Sequence, residues 1–160
     1  MLKFVRGATL ALVVGALAVS AMPSSVDAQM AGKAIDARRG LMKNTGKNMK
    51  VIAGFMKKGM GTASDVAKSA RIIAASIAEL PNHYPKGTAQ GSGAGNTRAK
   101  AEIWTNWAGY ASASAKGTDL ALKVAMAADS GNKGAIGAAL GALGKGGCGG
   151  CHKAFRGPKN

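Results

Sequence analysis

The sequence predicts an all-α protein built as a four-helix bundle, and three observations predict it. Aromatic residues make up only 4% of the chain, while alanine, glycine, methionine and lysine are abundant. That composition lacks the β-branched and aromatic richness of strands and suits small helices packed closely. Apolar residues recur at helical spacing in four separate stretches. Between the second and third of these, residues 82–96 carry Gly87, Gly91, Gly93 and Gly95 and read as one long flexible connection. Such a segment suits a crossover between helices better than a tight hairpin.

The N-terminus is set aside first. Lys3 and Arg6 precede an uncharged apolar run from Ala8 to Ala21, the layout of a secretory leader. The run is shorter than the ~20 apolar residues of a spanning helix. The small-residue sequence Val26-Asp27-Ala28 comes after it, which suits cleavage before Gln29. Residues 1–28 are therefore expected to be a signal peptide, with a retained anchor as the competing reading. Residues 29–160, about 132 in number, form one domain of ordinary size. Nothing after Ala28 is long and apolar enough to span a bilayer, so no stable membrane insertion is expected.

The formal net charge is +15. The leader carries Lys3, Arg6 and Asp27, a net +1, so +14 remains on the mature chain. A surface this basic steers toward acidic partners. Nucleic acid is not expected as a partner, because the lysines are scattered rather than blocked and the chain is exported.

Each helix has its own justification. Ile35, Met42, Met49 and Met56 recur every seven positions between Ala31 and Met60, with Ile52 filling the spacing, and Gly59 and Gly61 punctuate the end. A second helix starts at Thr62 or Ser64, either of which can cap it, with Asp65 in the first turn. Val66, Ala70, Ile73, Ile77 and Leu80 line its apolar face, and Pro81 and Pro85 stop it. The third is expected from Asn96 or Thr97 to about Ala128, carrying Ile103, Trp107 and Tyr110 with Trp104 beside them, and with Gly117 as an interruption. In the fourth, Ile136, Leu140 and Leu143 keep helical spacing among seven glycines from Gly137 to Gly150. Each interior glycine costs roughly 0.5–1 kcal/mol relative to alanine, so a free helix of this composition is weak and needs an outside tether.

The two cysteines of the chain supply that tether in the sequence Cys148-Gly-Gly-Cys151-His152. Cys-x-x-Cys-His is a haem-attachment motif. On a helix Cys148 and Cys151 share a face, so both sulfurs can form thioethers to the vinyl groups of one porphyrin. His152, four residues after Cys148, rises from the same edge and can reach the iron. A zinc site lacks ligands, since the other histidine is His83; a thioredoxin-like pair lacks its βαβ context. A plain disulfide is compatible with export but leaves His152 unexplained. One haem c per chain, covalently bound, is therefore expected. Met42, Met49, Met56, Met60 and Met126 are candidates for the sixth iron position, and periodicity does not choose among them; methionine at heptad spacing is also ordinary core filler. Serine, histidine and the seven carboxylates show no nucleophile or acid–base arrangement, so no enzyme activity is expected.

The chain resembles the class II cytochromes c, the cytochrome c prime family, over nearly all of the mature sequence. The opening Ala34-Ile-Asp-Ala-Arg38-Arg39-Gly-Leu-Met42-Lys, the mid-chain Glu102-Ile-Trp104 and the closing Cys148-x-x-Cys151-His152-x-x-Phe155-Arg156 carry the resemblance. It implies an antiparallel four-helix bundle with covalent haem near the C-terminus. It also implies that the residue facing the distal side of the haem is Met42, four positions after Arg38. High-spin, five-coordinate members usually have leucine or an aromatic residue there and bind small gases; the low-spin branch has methionine. By that resemblance Met42 and His152 are axial ligands and the protein is a periplasmic outer-sphere electron carrier facing acidic redox partner proteins. Binding of NO or CO at a five-coordinate iron is the alternative. Arg38 is expected to meet a propionate, Arg156 to lie near the proximal side and Trp104 to pack toward the porphyrin. The family usually has tyrosine where Phe155 stands, and it commonly dimerises through its first two helices.

Overall fold

The computed structural model describes residues 25–159. The expected leader falls outside the described residues except for positions 25–28, which form the first turn of a helix. Among the described residues the chain is helical, with one isolated β-bridge, between Ala99 and Arg156.

Helix α1 runs Ser25–Lys58, starting six residues earlier than the apolar spacing predicts. Helix α2, Ala63–Glu79, is capped by Thr62 rather than Ser64. The Thr62 hydroxyl accepts from the Asp65 backbone, and the Asp65 carboxylate accepts from the Thr62 backbone, satisfying two otherwise orphaned donors. A 3₁₀ turn over Leu80–His83, with Pro81 inside it, ends this helix as the prolines predict.

The third helix departs from expectation. Residues 97–101 do not join it; a short α3, Glu102–Thr105, precedes α4, Trp107–Asp129. Asn106 breaks the two, with φ −129° and ψ 58°, and its side-chain oxygen accepts from Gly109 N at 3.1 Å to cap α4. The backbone of 97–101 pairs with the C-terminus instead: Lys100 N donates to Phe155 O at 3.1 Å and Gly157 N to Arg98 O at 2.7 Å. Gly117 does not interrupt α4. It is buried against Ile77 of α2, where an added Cβ would sit 3.4 Å from the Ile77 side chain.

The glycine-rich fourth helix is three pieces in one line. Helix α5 is Lys133–Ala142, capped by Asn132; a π-helical stretch covers Leu143–Gly149; helix α6 is Gly150–Phe155. A Cβ on Gly147 would stand 3.4 Å from the Cα of Gly117, so here two glycine backbones approach closely. With α5 to α6 counted as one, α1, α2, α4 and this composite make an antiparallel four-helix bundle. Helix α2 packs most extensively on α4, α1 on α2, and α4 on the composite helix. The main core joins Ile52, Val66, Ile73, Val124, Ile136 and Leu143, and a smaller cluster joins Ile103, Tyr110 and Phe155.

The long connection is not loose. Arg38, 3% exposed, reaches from α1 into it. Its guanidinium donates to the carbonyl of His83 at 3.2 Å, to the Thr88 hydroxyl at 2.8 Å and carbonyl, and to the Thr97 hydroxyl at 2.8 Å. Its charged carbon stands 4.7 Å from the Tyr84 ring centre. Thr88 and Thr97 are themselves buried. Arg38→Leu is therefore expected to lower unfolding stability by about 3 kcal/mol, because it strands buried acceptors in two threonines. Arg38→Lys should restore only part of this, since an ammonium lacks the planar fork. Urea unfolding of the haem-loaded protein measures it, and an unchanged midpoint would show that the connection is held by something else.

Candidate haem site

A cavity of about 740 Å³ opens between α1 and the C-terminal motif. Helix α1 supplies Arg38, Arg39, Met42, Lys43, Thr45 and Met49; the facing side supplies Cys148, Cys151, His152, Phe155 and Arg156. Ile77, Leu80, Tyr84, Tyr110 and Ser114 close the remaining wall. Helix α1 thus forms one side of the cavity and the C-terminal motif another.

The motif reaches the cavity through a change of helical register. Cys148 lies on the π-helical stretch and Cys151 with His152 on α6, yet all three line the same space. A π turn inserts an extra residue into the helix and re-aims the side chains beyond it, which is why such turns recur at functional sites. Small residues tolerate it, and four of the seven positions in Leu143–Gly149 are glycine. Both cysteines are half-buried free thiols, and burial pushes their pKa values up. Burial, aided by the positive charges of Arg156 and Arg98, lowers the His152 pKa below its ordinary 6.5. The imidazole is thus neutral at neutral pH, with a lone pair available for a metal.

The other expected residues divide. Met42 and Met49 line the cavity, Met56 packs in the main core, and Met60 and Met126 are largely exposed, at 61% and 68%. Arg156 lies on the cavity wall, exposed. Arg38 lines it too, with both of its terminal nitrogens bonded to the connection. Trp104 is not on the wall: its indole N–H donates to the Tyr84 carbonyl at 3.0 Å, and its ring meets Tyr84 edge-on at 5.9 Å. It props a wall residue from behind.

Sequence reading missed Thr45, Tyr84 and Tyr110 as wall residues, and also Arg39, Lys43 and Arg98. Thr45 was legible in principle, since it stands three positions after Met42 and four before Met49 on one helical face.

The residues present fit a haem. Two thiols and a neutral imidazole share one wall, and the lining is predominantly apolar with cations at its margin from Arg39, Lys43, Arg98 and Arg156, suited to two carboxylates. Two buried hydroxyls on the wall, of Thr45 and Tyr110, have no hydrogen-bond partner. The Tyr110 hydroxyl falls short of hydrogen-bond geometry toward Tyr84, although the rings meet edge-on at 4.8 Å and the neighbouring phenol, after burial, helps push its pKa up.

A helical bundle whose last helix presents two cysteines and a histidine to such a cavity defines a class, the bundle-type c haem proteins. The family model described as Cytochrome C' matches residues 33–156, and the chain belongs to that family. It is 39% identical over 120 residues to the cytochrome c' of Rhodospirillum rubrum, covering 74% of this chain and 80% of the relative. Against the cytochrome c' of Pararhodospirillum photometricum it is 36% identical over 98 residues, 61% of this chain and 76% of the relative. Among solved structures, the cytochrome c' of Thermochromatium tepidum superposes with a TM-score of 0.72 at 26% identity, covering 80% of this chain and 97% of that one. A cytochrome c' described as having an unusual ligand-controlled dimer dissociation gives 0.73 at 26% identity with the same coverages. Haem c is covalently bound in this family, one per chain, and so in this protein.

The family assignment corrects one expectation. These relatives are cytochromes c', which overturns the methionine-ligated low-spin branch and with it the His/Met-ligated electron carrier; gas binding at a five-coordinate iron is the reading they support. The physical reason is that a methionine at heptad spacing is equally a packing residue. Both Met42 and Met49 line the cavity while packing on the core, so a thioether on the wall does not by itself define a ligand.

Replacing Cys148 or Cys151 singly by serine should leave haem held through one thioether, with a shifted pyridine haemochrome band. Replacing both should leave no haem resistant to acid–acetone extraction. Retention of covalent haem in the double variant would refute this attachment site.

Proposed function

We propose that this protein is an exported, periplasmic haem protein that binds small gases such as NO and CO at a five-coordinate iron. Membership of the cytochrome c' family carries the reading, supported by 39% identity to the Rhodospirillum rubrum protein, and among the described residues His152 is the only imidazole on the cavity wall. His83 stands outside the cavity lining, with its ring 3.2 Å from the Glu79 carboxylate and its carbonyl accepting from Arg38.

The haem supplies an iron that takes up a diatomic ligand when reduced. The chain does the rest. Cys148 and Cys151 would tether the ring by thioethers, and the neutral His152 would donate its lone pair as the proximal ligand. Met42 and Met49 line the distal side with soft, apolar bulk that keeps water away. Arg39, Lys43 and Arg156 offer charge to the carboxylates beside Arg38, whose terminal nitrogens also bond the connection. Arg98 is partly committed, donating to the carbonyls of Gly157 and Pro158. Trp104 holds the Tyr84 side of the cavity in place.

The basic charge suits an acidic protein partner, as complementary potentials speed encounter. The relative with ligand-controlled dimer dissociation supports a homodimer, and Met30 and Val51 leave exposed apolar surface on α1 for it. No described helix is long and apolar enough to cross a membrane.

Carbon monoxide tests the reading. The ferrous protein should change its absorption spectrum promptly on addition of CO, saturating at one CO per haem, and Met42→Leu should preserve this. A spectrum indifferent to CO would overturn it.

A further inference from the structure

Thr45 sits where a helical threonine normally satisfies itself, by donating its hydroxyl back to the carbonyl one turn earlier. It does not do so here. The side chain is buried, 8% exposed, and its hydroxyl meets no partner anywhere among the described residues. An unmet buried hydroxyl costs roughly 1–3 kcal/mol. Tyr110, the other such group, spends its side chain on aromatic packing against Tyr84, Trp107 and Phe155. Thr45 has no comparable occupation.

Its surroundings indicate what it awaits. Met42, Thr45 and Met49 lie on one face of α1 and all line the cavity, so the wall reads thioether, hydroxyl, thioether. Asn44 bonds Ser76 of α2 instead. The cations suited to carboxylates on this helix include Arg39, six residues earlier, about 9 Å along the axis at the helical rise. Thr45 is thus a buried hydroxyl set between two thioethers on the α1 wall, while the exposed Lys43 beside it lies among the cations suited to carboxylates, and His152 lines the same cavity.

We propose that the Thr45 hydroxyl donates a hydrogen bond to the diatomic gas bound on the α1 side of the cavity, making Thr45 a residue that sets ligand affinity and selectivity. This rests on the gas-binding reading of the same site. A hydrogen bond favours the ligand that gathers more negative charge when bound, so NO gains over CO. Ligand capture gives the hydroxyl the acceptor it lacks among the protein's own groups.

The test compares the haem-loaded wild type, Thr45→Val and Thr45→Ser. Valine keeps the branched shape and removes the donor; serine keeps the donor. In Thr45→Val the C–O stretching frequency of the ferrous CO complex should rise and NO should dissociate about two- to tenfold faster, as loss of one net hydrogen bond implies. Thr45→Ser should stay near wild type. Thermal unfolding of ligand-free Thr45→Val should be unchanged or higher, whereas a merely structural hydroxyl would lower it. An unchanged C–O frequency and NO release rate in Thr45→Val would overturn the proposal while leaving gas binding intact. Failure of the wild type to bind CO would instead remove the gas-binding reading, and this proposal with it.

Discussion

A guanidinium cannot be buried in a small helical protein unless nearly every one of its N–H groups finds an acceptor. Arg38 is buried, and the acceptors come from His83, Thr88 and Thr97, 45 to 59 residues away in sequence. That requirement turns the glycine-rich connection from a slack crossover into a wall. It pins Tyr84 under the charge, brings Thr97 and Ala99 to the cavity, and leaves residues 97–101 to pair with the C-terminal segment after the haem motif. The two ends of the site, on α1 and beyond α6, are thereby fastened to one stretch of chain.

The composite C-terminal helix shows the opposite economy. Its glycines weaken it as an isolated helix, yet they permit the π register of Leu143–Gly149 and the close approach of Gly147 to Gly117. Leu143, fully buried, holds one end in the main core, and Phe155 holds the other in the smaller cluster. The stretch between them carries Cys148 and is shaped by what it must present rather than by what it packs. Covalent haem then supplies the stiffness the backbone lacks.

Distinguishing a ligand from a wall residue is the recurring difficulty of this site. Met42 stands at a position where its residue type pointed to one chemistry, and the family to which the chain belongs points to another. Arg38 and Trp104 illustrate the same point. Each is expected at the haem, and in the structure the terminal nitrogens of Arg38 bond the connection while the Trp104 indole bonds the Tyr84 carbonyl. Residue type and spacing identify which side chains can reach a space, but competing partners decide what each does there.

The sequence by itself determined the all-helical class, the proline stop after α2 and the covalent haem, because each depends on contacts within a few residues. A cysteine pair with an adjacent histidine needs no distant partner to be recognised, whereas Thr62 and Ser64 were equal candidates for the cap until the structure chose Thr62. Only the tertiary structure decided the break at Asn106, the anchored connection and the unmet hydroxyl of Thr45. These depend on which groups from remote parts of the chain arrive within hydrogen-bonding distance. Residues 97–101 left the helix because the backbone after Phe155 offered them partners, and no local pattern records that offer.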